Sequence, residues 1–138
     1  MQYTLHLTAN DLEALHAHAE SSLPFEAVAL LFGEQSELSV TVNRIELTNN
    51  EATSRTTAFI VNPEEQYRLL VEAENRGEEF VGIFHSHPAP PHPSNRDKQN
   101  MKLNPVVWLI ASKDSGHWIT NAFLLENNHV RQVVLQLM

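Results

Sequence analysis

The sequence predicts a mixed α/β (α+β) domain: a central, largely antiparallel sheet flanked by two main helices and one short one. Three observations lead there. Short apolar or alternating runs recur along the chain, with turn residues between them. Helix starts are marked by capping residues at Thr8 and at Asn62-Pro63. With 138 residues, 42% of them hydrophobic, there is material for one buried core, and no repeat or linker divides it, so residues 1–138 are read as one domain.

Residues 2–7 alternate and read as a strand. Thr8 then caps a helix, with Asp11 three residues on and Leu12, Leu15 and Ala19 as its apolar stripe; Pro24 ends it. Residues 27–32 are a short apolar run closed by Gly33, the pattern of a buried strand. Leu38, Val40 and Val42 alternate, and Ile45 and Leu47 continue in the opposite phase, a slip that a bulge near Asn43 explains. Residues 49–57 are polar and loop-like, and 58–61 read as a short strand. Asn62 caps a second helix with Pro63 at its first position; Tyr67, Leu70 and Val71 are its expected buried face, and Gly77 its stop. Residues 80–85 are almost continuously apolar, as in a central strand. A proline-rich loop leads to a short helix over 94–103. Residues 106–111, 117–125 and 129–137 complete the sheet, the last two joined by a turn at 126–128.

Composition narrows the function classes. Nine Lys and Arg against seventeen Asp and Glu give a net charge of −8, the wrong sign for tracking phosphates, so nucleic acid is not an expected partner. The absence of cysteine removes disulfides, thiolate metal sites and cysteine nucleophiles together, and gives no sign of an oxidising compartment. Residues 1–8 carry no basic n-region, and no apolar run approaches the ~20 residues that span a bilayer. No membrane partner and a cytoplasmic location are therefore expected.

Of eight histidines, only those between 85 and 92 stand out. His16 and His18 lie two apart on a helix and point in different directions, and His6, His117 and His129 are isolated near strand ends. His85 and His87, at i and i+2 on a strand, point to one face, so their imidazoles can meet on one ion. Asp97, brought in from the next element, would complete a three-ligand site. Three protein ligands leave a fourth tetrahedral position for water, the arrangement of a catalytic zinc. Each piece also has an ordinary explanation. A His-x-His pair alone is weak, Ser94-x-x-Asp97 is a capping-box pattern, and the prolines at 88, 90, 91 and 93 make a stiff connection. The weight lies in their combination within the thirteen residues from His85 to Asp97. Other His-x-His systems do not fit. The His-x-His-x-Asp-His pattern needs Asp and His where Ala89 and Pro90 stand, an amidohydrolase barrel needs at least ~200 residues, and there is no His-Glu-x-x-His.

His85-Ser86-His87-Pro88 followed by Pro93-Ser94-Asn95-Arg96-Asp97 resembles the signature of the JAMM (MPN-plus) metalloproteases. Pro24-Phe25-Glu26, before an apolar strand ending in Gly33, resembles the upstream glutamate motif of the same family. The resemblance covers nearly the whole chain. It implies the MPN/JAMM-like (cytidine-deaminase-like) fold, one Zn²⁺ held by His85, His87 and Asp97, Glu26 as general base and then acid, and Ser94 as a donor to the oxyanion. Two departures are visible. Nine residues, 88–96, separate His87 from Asp97, one fewer than is usual in the family, and Val28-Ala29 stand where Cys-Gly is common. His92 falls inside the shortened loop.

The chain is similar to the stand-alone archaeal and bacterial forms and to the catalytic core of the proteasome-lid deubiquitinase. The resemblance therefore implies an isopeptidase acting on ubiquitin or a ubiquitin-like protein and its conjugates, with the proteasome as a further partner. Two alternatives stand beside it: a protease processing the C-terminus of a sulfur-carrier protein, and a non-catalytic ubiquitin-like-binding module with structural zinc. The polar segment 49–57 is the expected place for a modifier tail to add as a strand.

Overall fold

The structure, a computed structural model, describes residues 3–55, 59–87 and 90–138. Seven strands and three helices follow in the order β1 (Thr4–Leu7), α1 (Ala9–Ser22), β2 (Val28–Ser36), β3 (Ser39–Thr48), α2 (Pro63–Asn75), β4 (Glu79–Ser86), α3 (Asn95–Leu103), β5 (Val107–Asp114), β6 (His117–Glu126) and β7 (His129–Leu137). The strands lie in the order β1-β3-β2-β4-β5-β6-β7, and β1 pairs in parallel with both β3 and β7, so the sheet closes into a barrel. Closure goes beyond the expected flanked sheet. It removes both sheet edges by pairing them with each other.

The strands alternate between two apolar clusters. Ala29 and Leu31 of β2, Phe84 of β4 and Leu109 of β5 pack with Leu15 and Ala19 of α1. Val28, Leu30 and Phe32, with Ile83, Trp108 and Ile110, pack with Leu69 and Ala73 of α2 and Met101 of α3. Both clusters claim residues from one strand because successive side chains point to opposite faces. This parity decides which side of β4 carries chemistry.

The capping signals act as read. Thr8 Oγ1 accepts from the Asp11 N–H at 3.0 Å, and Asn62 Oδ1 accepts from the N–H groups of Glu64 and Glu65. Gly77 ends α2 with φ 73°, and Asn127 and Asn128 both take positive φ in the β6–β7 turn, as a type I′ hairpin requires. The bulge is where the phase slip put it. Phe32 pairs with Arg44 and Gly33 with Val42, leaving Asn43 without a partner across the ladder. Gly33 is needed there, because a Cβ on it would sit 1.8 Å from the Thr41 carbonyl oxygen.

Two expectations are corrected. The buried face of α2 is Leu69 and Ala73, with Leu70 packed beside them, whereas Tyr67 is 61% and Val71 40% exposed. Both stripes obey the helical period; the one that includes Leu69 and Ala73 lies against Phe32 and Trp108. The short strand over 58–61 is absent at 59–61, and Ala58 lies outside the described residues. Those residues close a loop instead, with the Glu51 N–H donating to the Ile60 carbonyl at 2.8 Å and the Ile60 N–H to Asn50 Oδ1 at 3.0 Å.

Candidate metal centre

The centre forms where β4 leaves the barrel. Val28 of β2 is the antiparallel partner of His85, and the ladder continues one step beyond β2, with the Ser86 N–H donating to the Ala27 carbonyl at 3.0 Å. The next step brings Glu26 opposite His87. By parity, Glu26, Val28, His85 and His87 share the face that packs against α2 and α3. The His87 N–H donates to the Ala111 carbonyl of β5 at 2.8 Å, which fixes this residue although it lies past the end of β4.

Asp97 arrives on the first turn of α3. Its N–H donates to Ser94 Oγ at 3.1 Å, and its Oδ2 accepts from the Ser94 N–H at 2.9 Å, a complete capping box. The same carboxylate reaches the histidines. Oδ1 lies 3.2 Å from His85 Nε2, and Oδ2 lies 3.6 Å from His87 Nε2. Asp97 is therefore both a cap and a member of the cluster, and the ordinary explanation of Ser94-x-x-Asp97 does not compete with the functional one. On the other side of the His85 ring, Nδ1 lies 3.1 Å from Glu26 Oε1 and 3.1 Å from the Ser86 carbonyl.

Three of the four clustered side chains are shielded from water, with His87 partly exposed. His85 is fully buried, and Glu26 and Asp97 are each 4% exposed. Burial works against charge on His85, but the flanking carboxylates of Asp97 and Glu26 outweigh it and push its pKa up to about 9. Burial would also raise the Asp97 carboxyl; the neighbouring His85 above all, with the Ser94 N–H and His87, holds it below the usual carboxylate range instead.

Among the described residues no three His, Cys, Asp or Glu side chains are already set as a cage around an ion. Asp97 instead lies directly against the His85 ring and beside His87. The donor chemistry of the three nevertheless fits zinc. Two ligands each ~2.0–2.1 Å from a tetrahedral zinc stand about 3.3 Å apart, the range in which both Asp97–His pairs lie. His85 Nε2 is close to Asp97 yet not aligned to donate to it, and both this atom and His87 Nδ1 are buried without a hydrogen-bond partner. Buried polar atoms of this kind call for a partner.

Comparison with known proteins bears on this geometry. Residues 8–125 match the family of prokaryotic homologs of the JAB domain. The chain belongs to that family. This JAB-domain chain is 38% identical over 116 residues to the desampylase of Pyrococcus furiosus, covering 82% of this chain and 76% of that protein. It is 30% identical over 115 residues to the desampylase of Haloferax volcanii, covering 80% and 81%. A probable TtuB-protein conjugate cleaving protease of Thermus thermophilus is 32% identical over 126 residues, covering 90% and 78%. Among solved structures, a Desulfitobacterium hafniense protein superposes with a TM-score of 0.85 at 30% identity, covering 97% of this chain and 92% of that one.

In this JAB-domain chain the structure brings Glu26, His85, His87 and Asp97 together and sets Ser94 beside them through the cap. His92 is exposed, and among the described residues no hydrogen bond or ion pair joins it to the cluster. Sequence reasoning missed three contributors. Phe59 packs 4.9 Å from the His85 ring and Trp108 5.9 Å from it, so two aromatic rings confine the imidazole. The Ser86 hydroxyl, on the opposite face of β4, accepts the Ala27 N–H at 2.7 Å and so holds the residue that follows Glu26. Only Ser86 left a sequence signal, since strand parity turns the residue between His85 and His87 away from the side that faces Asp97. Within 49–55 there is no strand, the Glu26 N–H donates to the Arg55 carbonyl at 2.6 Å, and Asn50 Nδ2 donates to the Glu26 carbonyl at 2.9 Å. Thr56 and Thr57 lie outside the described residues.

Proposed function

We propose that this chain is a zinc-dependent isopeptidase that removes a ubiquitin-like modifier from protein conjugates by hydrolysing the amide bond to the acceptor amine. The supporting observation is the convergence of one carboxylate on two histidines, Asp97 to His85 at 3.2 Å and to His87 at 3.6 Å, with a second carboxylate, Glu26, beside the same buried ring. The named activities of the desampylases and of the TtuB-protein conjugate cleaving protease point the same way.

His85 Nε2, His87 Nε2 and an Asp97 oxygen would hold the ion. Zinc bound there supplies a Lewis acid that activates water near neutral pH and polarises a carbonyl. The chain's residues do the rest. Glu26 accepts a hydrogen bond from His85 Nδ1–H, which fixes the ring and leaves the Nε2 lone pair, beside Asp97, to face the ion. A carboxylate has acceptor capacity beyond that one contact, so Glu26 can also take the proton of the attacking water and return it to the leaving nitrogen. The Ser94 hydroxyl accepts the Asp97 N–H and keeps its own hydrogen to donate to the oxygen that gains charge. Confinement by Phe59 and Trp108 excludes water and keeps these interactions strong.

The test uses TtuB joined to a protein lysine, incubated with zinc-loaded enzyme, with and without chelator. Chelator-sensitive release of free TtuB is expected. Glu26→Gln is expected to lower kcat by ~10²–10⁴ while zinc and fold are retained. Full activity in Glu26→Gln would reduce the zinc to a structural brace and the chain to a binding module.

A further inference from the structure

The proposed reaction has two products, and the cluster described so far concerns only the carbonyl side. The amine side needs a place of its own, and the molecule has a cleft for it. A space of about 200 Å³ opens from Glu26 and His87 between Leu23, Phe25 and Trp118, with Ser86, Ser112 and Lys113 also lining it. That volume, against the ~30 Å³ of one liquid water, holds a single extended side chain and excludes a folded partner. A neighbouring space also reaches Glu26, but it does not touch His87 and is lined by Asn49, Asn50 and Arg55.

One side is apolar and partly open to solvent, Leu23 46% and Phe25 40% exposed; of the polar lining, the Lys113 ammonium is turned to Glu20. Trp118 is held from behind by two residues of α1. Its ring stacks on His16 at 6.4 Å, and its Nε1–H donates to the Glu20 carboxylate at 3.3 Å. Lys113 Nζ donates to the same Glu20 oxygen at 2.6 Å. An indole fixed before any ligand arrives is a preorganised wall, and what it presents to the cleft is flat apolar surface. The chemistry that fits is an aliphatic chain ending in a nitrogen at Glu26.

Resting on the isopeptidase reading, we propose that the cleft between Phe25 and Trp118 is the subsite for the acceptor lysine, taking its four-carbon stem with the scissile nitrogen at Glu26. In the step this serves, water oxygen bonds to the modifier's terminal carbonyl carbon and the C–N bond breaks. The water proton carried by Glu26 passes to the nitrogen, so the lysine leaves as an amine and the modifier as an acid. No other co-reactant is needed. The site makes the chain selective for lysine-borne conjugates over amides whose leaving amine has no stem.

The experiment compares two substrates of the zinc-loaded enzyme by intact mass: TtuB linked to the lysine of a peptide, and TtuB carrying a C-terminal methylamide. The unsubstituted protein is expected to favour the lysine substrate in kcat/KM. Trp118→Ala and Leu23→Ser are expected to reduce that preference by about tenfold or more, chiefly through KM for the lysine substrate. Leu23 is half exposed, so its substitution separates loss of the wall from loss of the fold. Preference unchanged in both variants overturns the subsite and leaves the isopeptidase reading intact. No chelator-sensitive release from either substrate by the unsubstituted protein overturns that reading, and the subsite with it.

Discussion

Asp97 carries two roles on one carboxylate, and a pair of substitutions separates them. Asp97→Asn keeps a side-chain oxygen able to accept the Ser94 N–H; Asp97→Ala does not. In metal-free protein the difference between the two variants is therefore the cap, about 1 kcal/mol, or ~3 °C in Tm for a domain of this size. Both variants also lose the negative charge that faces His85. The sign of that loss follows from the pKa. His85 is raised from its ordinary value of 6.5 to about 9 in the folded state, so its contribution is fully present below pH 6.5 and is lost as pH rises through 9. Holding the ring protonated at pH 7 across a gap of that size is worth on the order of 2–3 kcal/mol, shared between Asp97 and Glu26. Thermal unfolding of chelator-treated protein should thus show both variants destabilised at pH 7. At pH 10 the shared deficit should shrink, leaving the cap difference. Zinc affinity, measured by competition with a chromophoric chelator, should fall steeply in both. If Asp97→Asn binds zinc as tightly as the unsubstituted protein, Asp97 is a cap alone and the three-ligand centre does not exist.

Two further outcomes follow from local geometry. Ser86→Ala strands the buried Ala27 N–H and should cost about 1–3 kcal/mol in urea unfolding, while Ser86→Thr, which keeps the hydroxyl, should recover most of it. Gly33→Ala places a Cβ 1.8 Å from the Thr41 carbonyl oxygen, so the backbone at the β2–β3 bulge must move; loss of soluble folded protein or a fall of several degrees in Tm is expected, and an unchanged melting curve would refute the close approach.

The fold was legible where a local rule and the tertiary demand agree. The caps at Thr8 and Asn62, the stop at Gly77 and the turn at Asn127-Asn128 are short-range chemistry, and each appears where its residues are. The bulge at Asn43 was legible because a period of two cannot skip a residue without a defect. The buried face of α2 was not. Leu69-Ala73 and Tyr67-Leu70-Val71 both satisfy the helical period, and the choice rests on which stripe the sheet accepts, a fact that lies in β2 and β5. Barrel closure was hidden for the same reason, since the β1–β7 pairing joins segments with more than a hundred residues between them and leaves no local mark.

The site shows the same division with a different outcome. Spacing alone put His85 and His87 on one face, because strand parity is local. Nothing local tied Glu26 to them, and without the resemblance it read as an exposed loop carboxylate. The register supplies the physical reason. With Val28 opposite His85 and Ala27 bonded to Ser86, a residue two positions before Val28 on an antiparallel partner must stand opposite one two positions after His85, on the same face of the sheet. Glu26 is therefore positioned by the β2–β4 ladder and by Ser86, not by the metal, and it is 4% exposed with its contact to His85 Nδ1 already made. On the proposed reading, the base is in place before zinc binds. On that reading Asp97 already faces the protonated His85 ring, and binding exchanges the His85 proton for the ion.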